Sequence, residues 1–145
     1  MKAEDFRVLG LDLGERTIGV ALSDPGRILA GGVETIRRSS LEKDLQRLAE
    51  IVTANMVKTI VLGYPKNMNG SIGPRALLVQ SFADTLSVTF PDLNIVFWDE
   101  RLSTVAAEKV LVAADMRRAK RKKVIDKMAA VVILQNFLDS RKKIQ

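Results

Sequence analysis

The chain has 145 residues, 47% hydrophobic and 28% charged, with 23 lysines and arginines against 17 acidic residues, a net charge of +6, and no histidine or cysteine. That length suits one domain with a proper core and is short for two lobes. The missing residue types exclude disulfides, thiolate nucleophiles, Ser-His-Asp triads and Cys/His zinc sites, leaving oxygen-ligated Mg²⁺ or Mn²⁺ as the metals the chain can hold.

Val8-Leu9-Gly10-Leu11-Asp12-Leu13 is short, apolar and bounded by Gly14, which predicts a buried strand with an aspartate inside it. Gly14-Glu15-Arg16-Thr17 predicts a turn into a second strand, Ile18 to Ser23. Asp24-Pro25-Gly26 marks another turn, and Ile28 to Ile36 a third strand with an irregularity at Gly31-Gly32. Ser39 with Glu42 reads as a capping box, followed by Leu41, Leu45, Leu48 and Val52 at helical spacing. Thr59 to Tyr64 is a fourth strand, parallel to the first because a crossover helix precedes it. After a loop, Val79, Phe82, Ala83 and Leu86 mark a second helix and Asn94 to Trp98 a fifth strand. Ser103 can cap a third helix to about Val112, and Val124 to Leu138 is a fourth. This order predicts an α/β, ribonuclease-H-like fold over residues 1–145: a five-stranded mixed sheet, three strands antiparallel and two parallel, flanked by helices.

Nothing along the chain predicts a membrane span. The charged N-terminus lacks the apolar stretch of a signal peptide, so the expected location is cytoplasmic. Six of the seven residues from Arg117 to Lys123 are basic, and Arg141-Lys142-Lys143 forms a second cluster. Such a run reads either as a solvated face or loop, or as a nucleic-acid contact.

Three acids stand apart. Asp12 shares strand parity with Val8 and Gly10, where an ionised carboxylate needs a metal, an arginine or a turn to hold its charge. Asp126 continues the helical stripe of Ala130, Ile133 and Phe137, although an acid in a first helical turn also complements the helix dipole. Glu100 follows the fifth strand, where an ion pair with Arg101 is the simplest account, but strand ends are also where open α/β sheets place ligands. Together the three could hold two divalent ions ~3.5–4 Å apart, an arrangement that hydrolyses phosphodiesters without a histidine base.

Gly10-Leu11-Asp12-Leu13-Gly14, Ile18 to Asp24, Val61-Leu62-Gly63-Tyr64-Pro65 with Asn69-Gly70, Asp99 to Thr104, and Asp126 before Ala129-Ala130 closely resemble, in order, the motifs of the YqgF family, also called RuvX, of Holliday-junction-resolvase-like proteins. The resemblance covers almost the whole chain. It implies a ribonuclease-H-like endonuclease, maturing the 5′ end of the small-subunit (16S) ribosomal RNA precursor, with acidic metal-binding roles at Asp12, Glu100 and Asp126. Thr17 departs from the pattern, since many members carry a second basic residue there, which touches a phosphate contact and not the metal site. Position and resemblance together suggest phosphate contacts for Arg16, Arg75 and Arg101, and for the basic run Arg117, Arg118, Lys120, Arg121, Lys122 and Lys123. They also place Asn67, Asn69 and Gly70 in a loop beside the site, give Gly14 and Gly19 a tight turn, and make Ser103 a helix cap. The expected partners are nucleic acid, in the form of ribosomal RNA precursor, and ribosomal particles, with the chain acting as monomer or homodimer. A DNA junction resolvase and a non-catalytic nucleic-acid binder are the alternatives.

Overall fold

The computed structural model of the chain describes residues 6–102 and 118–142, with side chains described as far as 102 and from 128 to 141. β1 (Arg7–Leu13), β2 (Thr17–Ser23) and β3 (Ala30–Arg37) form the antiparallel meander that the two turn signals predict. α1 (Leu41–Ala54), β4 (Val57–Tyr64), α2 (Pro74–Thr89) and β5 (Asn94–Asp99) follow, then a 3₁₀ turn at Glu100–Leu102 and, after the undescribed stretch, α3 (Arg118–Lys142). The sheet order is β3-β2-β1-β4-β5, with β4 parallel to β1 and β5 parallel to β4. This is the five-stranded mixed sheet of a ribonuclease-H-like fold. The predicted helix from Ser103 to Val112 lies outside the described residues.

The alternation of side chains along β1 builds two cores. Leu9, Leu11 and Leu13 point to the side covered by α1 and α2, where Leu48, Ile51, Val79, Phe82 and Leu86 bury against them. Val8 and Gly10 point to the other side, where Ala129, Ala130, Ile133, Leu134, Phe137 and Leu138 of α3 close over the sheet. Each fully buried leucine or isoleucine there contributes about 1.5–3 kcal/mol. A Cβ on Gly10 would stand 2.7 Å from Leu134 Cβ and 3.2 Å from the Ala130 carbonyl oxygen, so the bare glycine is what lets α3 lie directly on β1. Leu134 sits at Gly10 while Leu138 shares a cleft with Val8, so α3 runs antiparallel to β1 and its N-terminal end reaches the C-terminal edge of that strand.

Several boundaries differ from expectation for identifiable reasons. The α1 cap is Ser40 and not Ser39: Ser40 is extended and its hydroxyl accepts from the Lys43 amide at 3.2 Å. Ser39 instead donates its amide to the Asp44 carboxylate. β3 starts at Ala30 and not Ile28, because the amides of Ile28 and Leu29 are held by Asp24 Oδ1 at 2.7 and 3.1 Å. The β3 irregularity is a bulge in which Val33 is skipped: Val20 pairs with Glu34 and Ala21 with Gly32. α3 begins at Arg118 and not Val124; its lysines, arginines and alanine are strong helix formers, whereas their lack of apolar residues hides them from a periodicity reading. Among the described residues no helix is long and apolar enough to cross a membrane.

Candidate active site

Asp12 stands near the end of β1, opposite Gly19 on β2, and is only 7% exposed. Strand alternation places it on the α3 side of the sheet, with Val8 and Gly10. On its other flank Leu11 pairs with Leu62, so the next residue of β4, Gly63, runs beside it. A Cβ on Gly63 would meet Ile133 Cδ1 at 2.5 Å and the carboxyl carbon of Glu100 at 3.4 Å. The missing side chain thus opens the space over β4 that Ile133 and Glu100 occupy.

Glu100 reaches this point because β5 ends one residue earlier: Trp98 pairs with Gly63 and Asp99 with Tyr64, and the 3₁₀ turn then folds Glu100 back over β4. Asp12, Gly63 and Glu100 therefore stand at adjacent C-terminal ends of the parallel strands β1, β4 and β5, the edge at which open α/β sheets bind ligands. Asp126 belongs to α3, one turn before Ala130 and about 6 Å further along the axis toward that edge. The Asp126 side chain lies outside those described. Among the described residues no group of three acidic side chains is placed to hold a metal ion.

Arg101 pairs with Asp99 and not with Glu100. Its amide donates to Asp99 Oδ1 at 3.0 Å, an Asx-type turn that folds the guanidinium back, with Nη2 donating to Asp99 Oδ2 at 2.7 Å. The guanidinium holds the Asp99 carboxyl below the usual carboxylate range, against the smaller effect of its desolvation. Arg101 Nη1 also lies 3.5 Å from where a Gly70 Cβ would be, in the loop after β4. That loop is tied together by Asn67 and Asn69: the Gly70 amide donates to the Asn67 carbonyl, and the Ser71 amide to Asn69 Oδ1.

Arg16 and Arg75 meet in a cleft of about 400 Å³ with Leu13, Gly14, Arg38 and Leu78. It opens at the same end of the sheet as Asp12 but on the α1/α2 side. Neither arginine has an ion-pair partner among the described residues. Sequence reasoning missed Arg38, which braces this corner: Nη1 donates to the Gly14 carbonyl at 3.0 Å, Nε to the buried Asp44 at 3.2 Å, and its amide to the Arg16 carbonyl at 2.8 Å. No local motif marks it, because its partners are scattered along the chain. Gly63 was legible only as part of a motif; a glycine inside an apolar strand is the signal for a close approach. Of the basic run, Arg118, Lys120, Arg121, Lys122 and Lys123 fall on the first turns of α3, with side chains beyond those described, while Arg117 and Ser103 lie outside the described residues.

A family model described as RuvX, Holliday junction resolvase, matches residues 6–140. A protein of Desulforamulus reducens is 56% identical over 138 residues, covering 95% of this chain and 100% of its own. One of Bacillus subtilis is 57% identical over 137 residues, covering 93% and 99%. Both bear the name "Putative pre-16S rRNA nuclease". Among solved structures, that of T. thermophilus RuvC in complex with Holliday junction substrate superposes with a TM-score of 0.58 at 12% identity, covering 94% of this chain and 96% of the other, a likeness of fold.

Proposed function

The chain belongs to the RuvX family and is a nuclease, and from that premise we propose that it is a metal-dependent endonuclease, one domain over residues 1–145, whose site is formed by Asp12, Glu100 and Asp126. The observation that carries this reading is that Glu100 packs against Gly63, the residue that follows the β4 partner of Leu11 and so runs beside Asp12, at the sheet edge toward which α3 directs the Asp126 position.

The donor set fits Mg²⁺ or Mn²⁺: three carboxylates, no histidine or cysteine ligand anywhere in the chain, and one acid buried at a strand end. Such an ion, when bound, lowers the pKa of a coordinated water and offsets the charge that develops on the phosphodiester. The chain's own residues do the rest. Asp12 is fixed by its pairing with Gly19 of β2, and Glu100 is held by the 3₁₀ turn that Asp99 and Arg101 brace. Arg16 and Arg75 take the phosphates that flank the cut, with Arg38 holding their corner in shape.

In this reading the substrate is the 5′ region of pre-16S ribosomal RNA and the place of action the cytoplasm, on ribosomal particles. The names borne by relatives more than half identical over at least 93% of the chain support it. The family's own description favours a second substrate, a four-way DNA junction. Cleavage of a precursor rRNA fragment and of a junction, each with Mg²⁺, separates the two. Asp12→Asn removes the charge and keeps the volume: RNA cleavage falls by more than ~10²-fold, the scale at which even residues behind a metal ligand act, while binding persists. Unchanged cleavage would refute the site.

A further inference from the structure

A cleft larger than that of Arg16 and Arg75 lies at the opposite edge of the sheet, about 17 Å along β1 from Asp12. It has a volume of about 600 Å³ and is lined by Phe6, Arg7, Arg27, Lys58, Leu138 and Arg141, among others, with no acidic side chain among the described lining residues. Arg141 belongs to the second basic cluster of the sequence, for which the active site has no use. The floor is apolar, formed by Val8 and Leu138, which are buried. Arg7, Lys58 and Arg141 have no ion-pair partner among the described residues. Lys58 Nζ rests 4.9 Å over the Phe6 ring and Arg141 Cζ 5.4 Å over Phe137, so aromatic faces aim both cations without neutralising them.

The backbone around this cleft is strained. The two non-glycine residues with positive φ in the described chain are Arg27 at 56° and Met56 at 53°. Arg27 forms the rim, its amide donating to the Asp24 carbonyl and its Nη1 to the Phe6 carbonyl at 3.1 Å. Met56 accepts from the Arg7 amide at 3.0 Å, just before Lys58. Such strained residues gather at active sites and ligand clamps.

We propose that this cleft is a second nucleic-acid site, in which a nucleotide unit of the substrate strand lays its base or sugar on the Val8–Leu138 floor and its phosphate between Arg7, Lys58 and Arg141. It rests on the nuclease reading for the identity of the ligand. A strand held at both edges is gripped away from the cut as well as at it.

The test is fluorescence anisotropy of a labelled single-stranded RNA in EDTA over a salt series, with the wild-type chain and a Lys58→Glu/Arg141→Glu double variant. The slope of log affinity against log salt falls by about 0.7, for the one phosphate held in the cleft, and affinity at low salt falls ~10-fold or more. Lys58→Gln and Arg141→Gln, each with unchanged Tm, give about half that change in slope and stand in should the double variant not fold. Folded variants that bind RNA like the wild type overturn the proposal. AMP is titrated in parallel: a variant that loses AMP binding but keeps RNA affinity marks a mononucleotide pocket and also overturns it. Because binding in EDTA needs no cleavage, a chain that grips RNA here but never cuts fails the nuclease reading alone.

Discussion

A carboxylate buried at a strand end is costly unless something takes up its charge, and Asp12 is such a residue. The charge of Asp99 is met by its own neighbour Arg101. Its depressed pKa is due chiefly to the hydrogen bond from Arg101. A carboxyl depressed in the folded state contributes stability above its unfolded pKa and loses it as pH falls through the folded value. Arg101→Ala therefore raises the Asp99 pKa toward its ordinary value and removes a pH-dependent contribution confined to the acid side of that range. An NMR titration of the Asp99 carboxyl in both proteins reads this directly. Pairing with Asp99 could not be chosen over pairing with Glu100 from the sequence, because both acids lie within two residues of Arg101 and only the 3₁₀ turn separates them.

At the scale of elements, the proposed site depends on the seating of α3 on β1 and β4. Gly10→Ala would set a Cβ against Leu134 Cβ and a backbone carbonyl, neither the flexible end of a side chain, so α3 must lift. Overpacking of this kind costs about 1–3 kcal/mol. The expected result is a lowered Tm together with a loss of cleavage, as the helix carries the Asp126 position away from Asp12. A Gly10→Ala protein with wild-type Tm and activity would show that α3 does not depend on this close approach. The existence and type of every described strand and helix could be read from apolar spacing and turn residues. Their ends could not, because side chains such as the Asp24 carboxylate and the Ser40 hydroxyl claim the amides that set them.

Across the whole molecule the basic excess has more than one place to act: the Arg16–Arg75 corner, the first turns of α3 and the cleft at the far edge. If the first turns of α3 dock RNA, replacing Lys120, Lys122 and Lys123 by glutamine lowers the salt slope by ~0.7 for each phosphate that these lysines neutralise. An unchanged slope in a binding series would remove that helix end from the interface.

Composition and patterning alone limited any metal ligands to oxygen, because the chain has no histidine or cysteine, and set the succession of strands and helices, because turn residues fold the first three strands into a meander and a crossover helix makes the fourth parallel to the first. What required tertiary structure was adjacency. Gly63 leaves room for Glu100 beside Asp12, Arg38 reaches back to Gly14 and Arg16, and Arg7, Lys58 and Arg141 border one cleft, although all of these partners stand far apart in the chain. No local spacing encodes such meetings, because they arise only when the register of the sheet and the seating of α3 are both set.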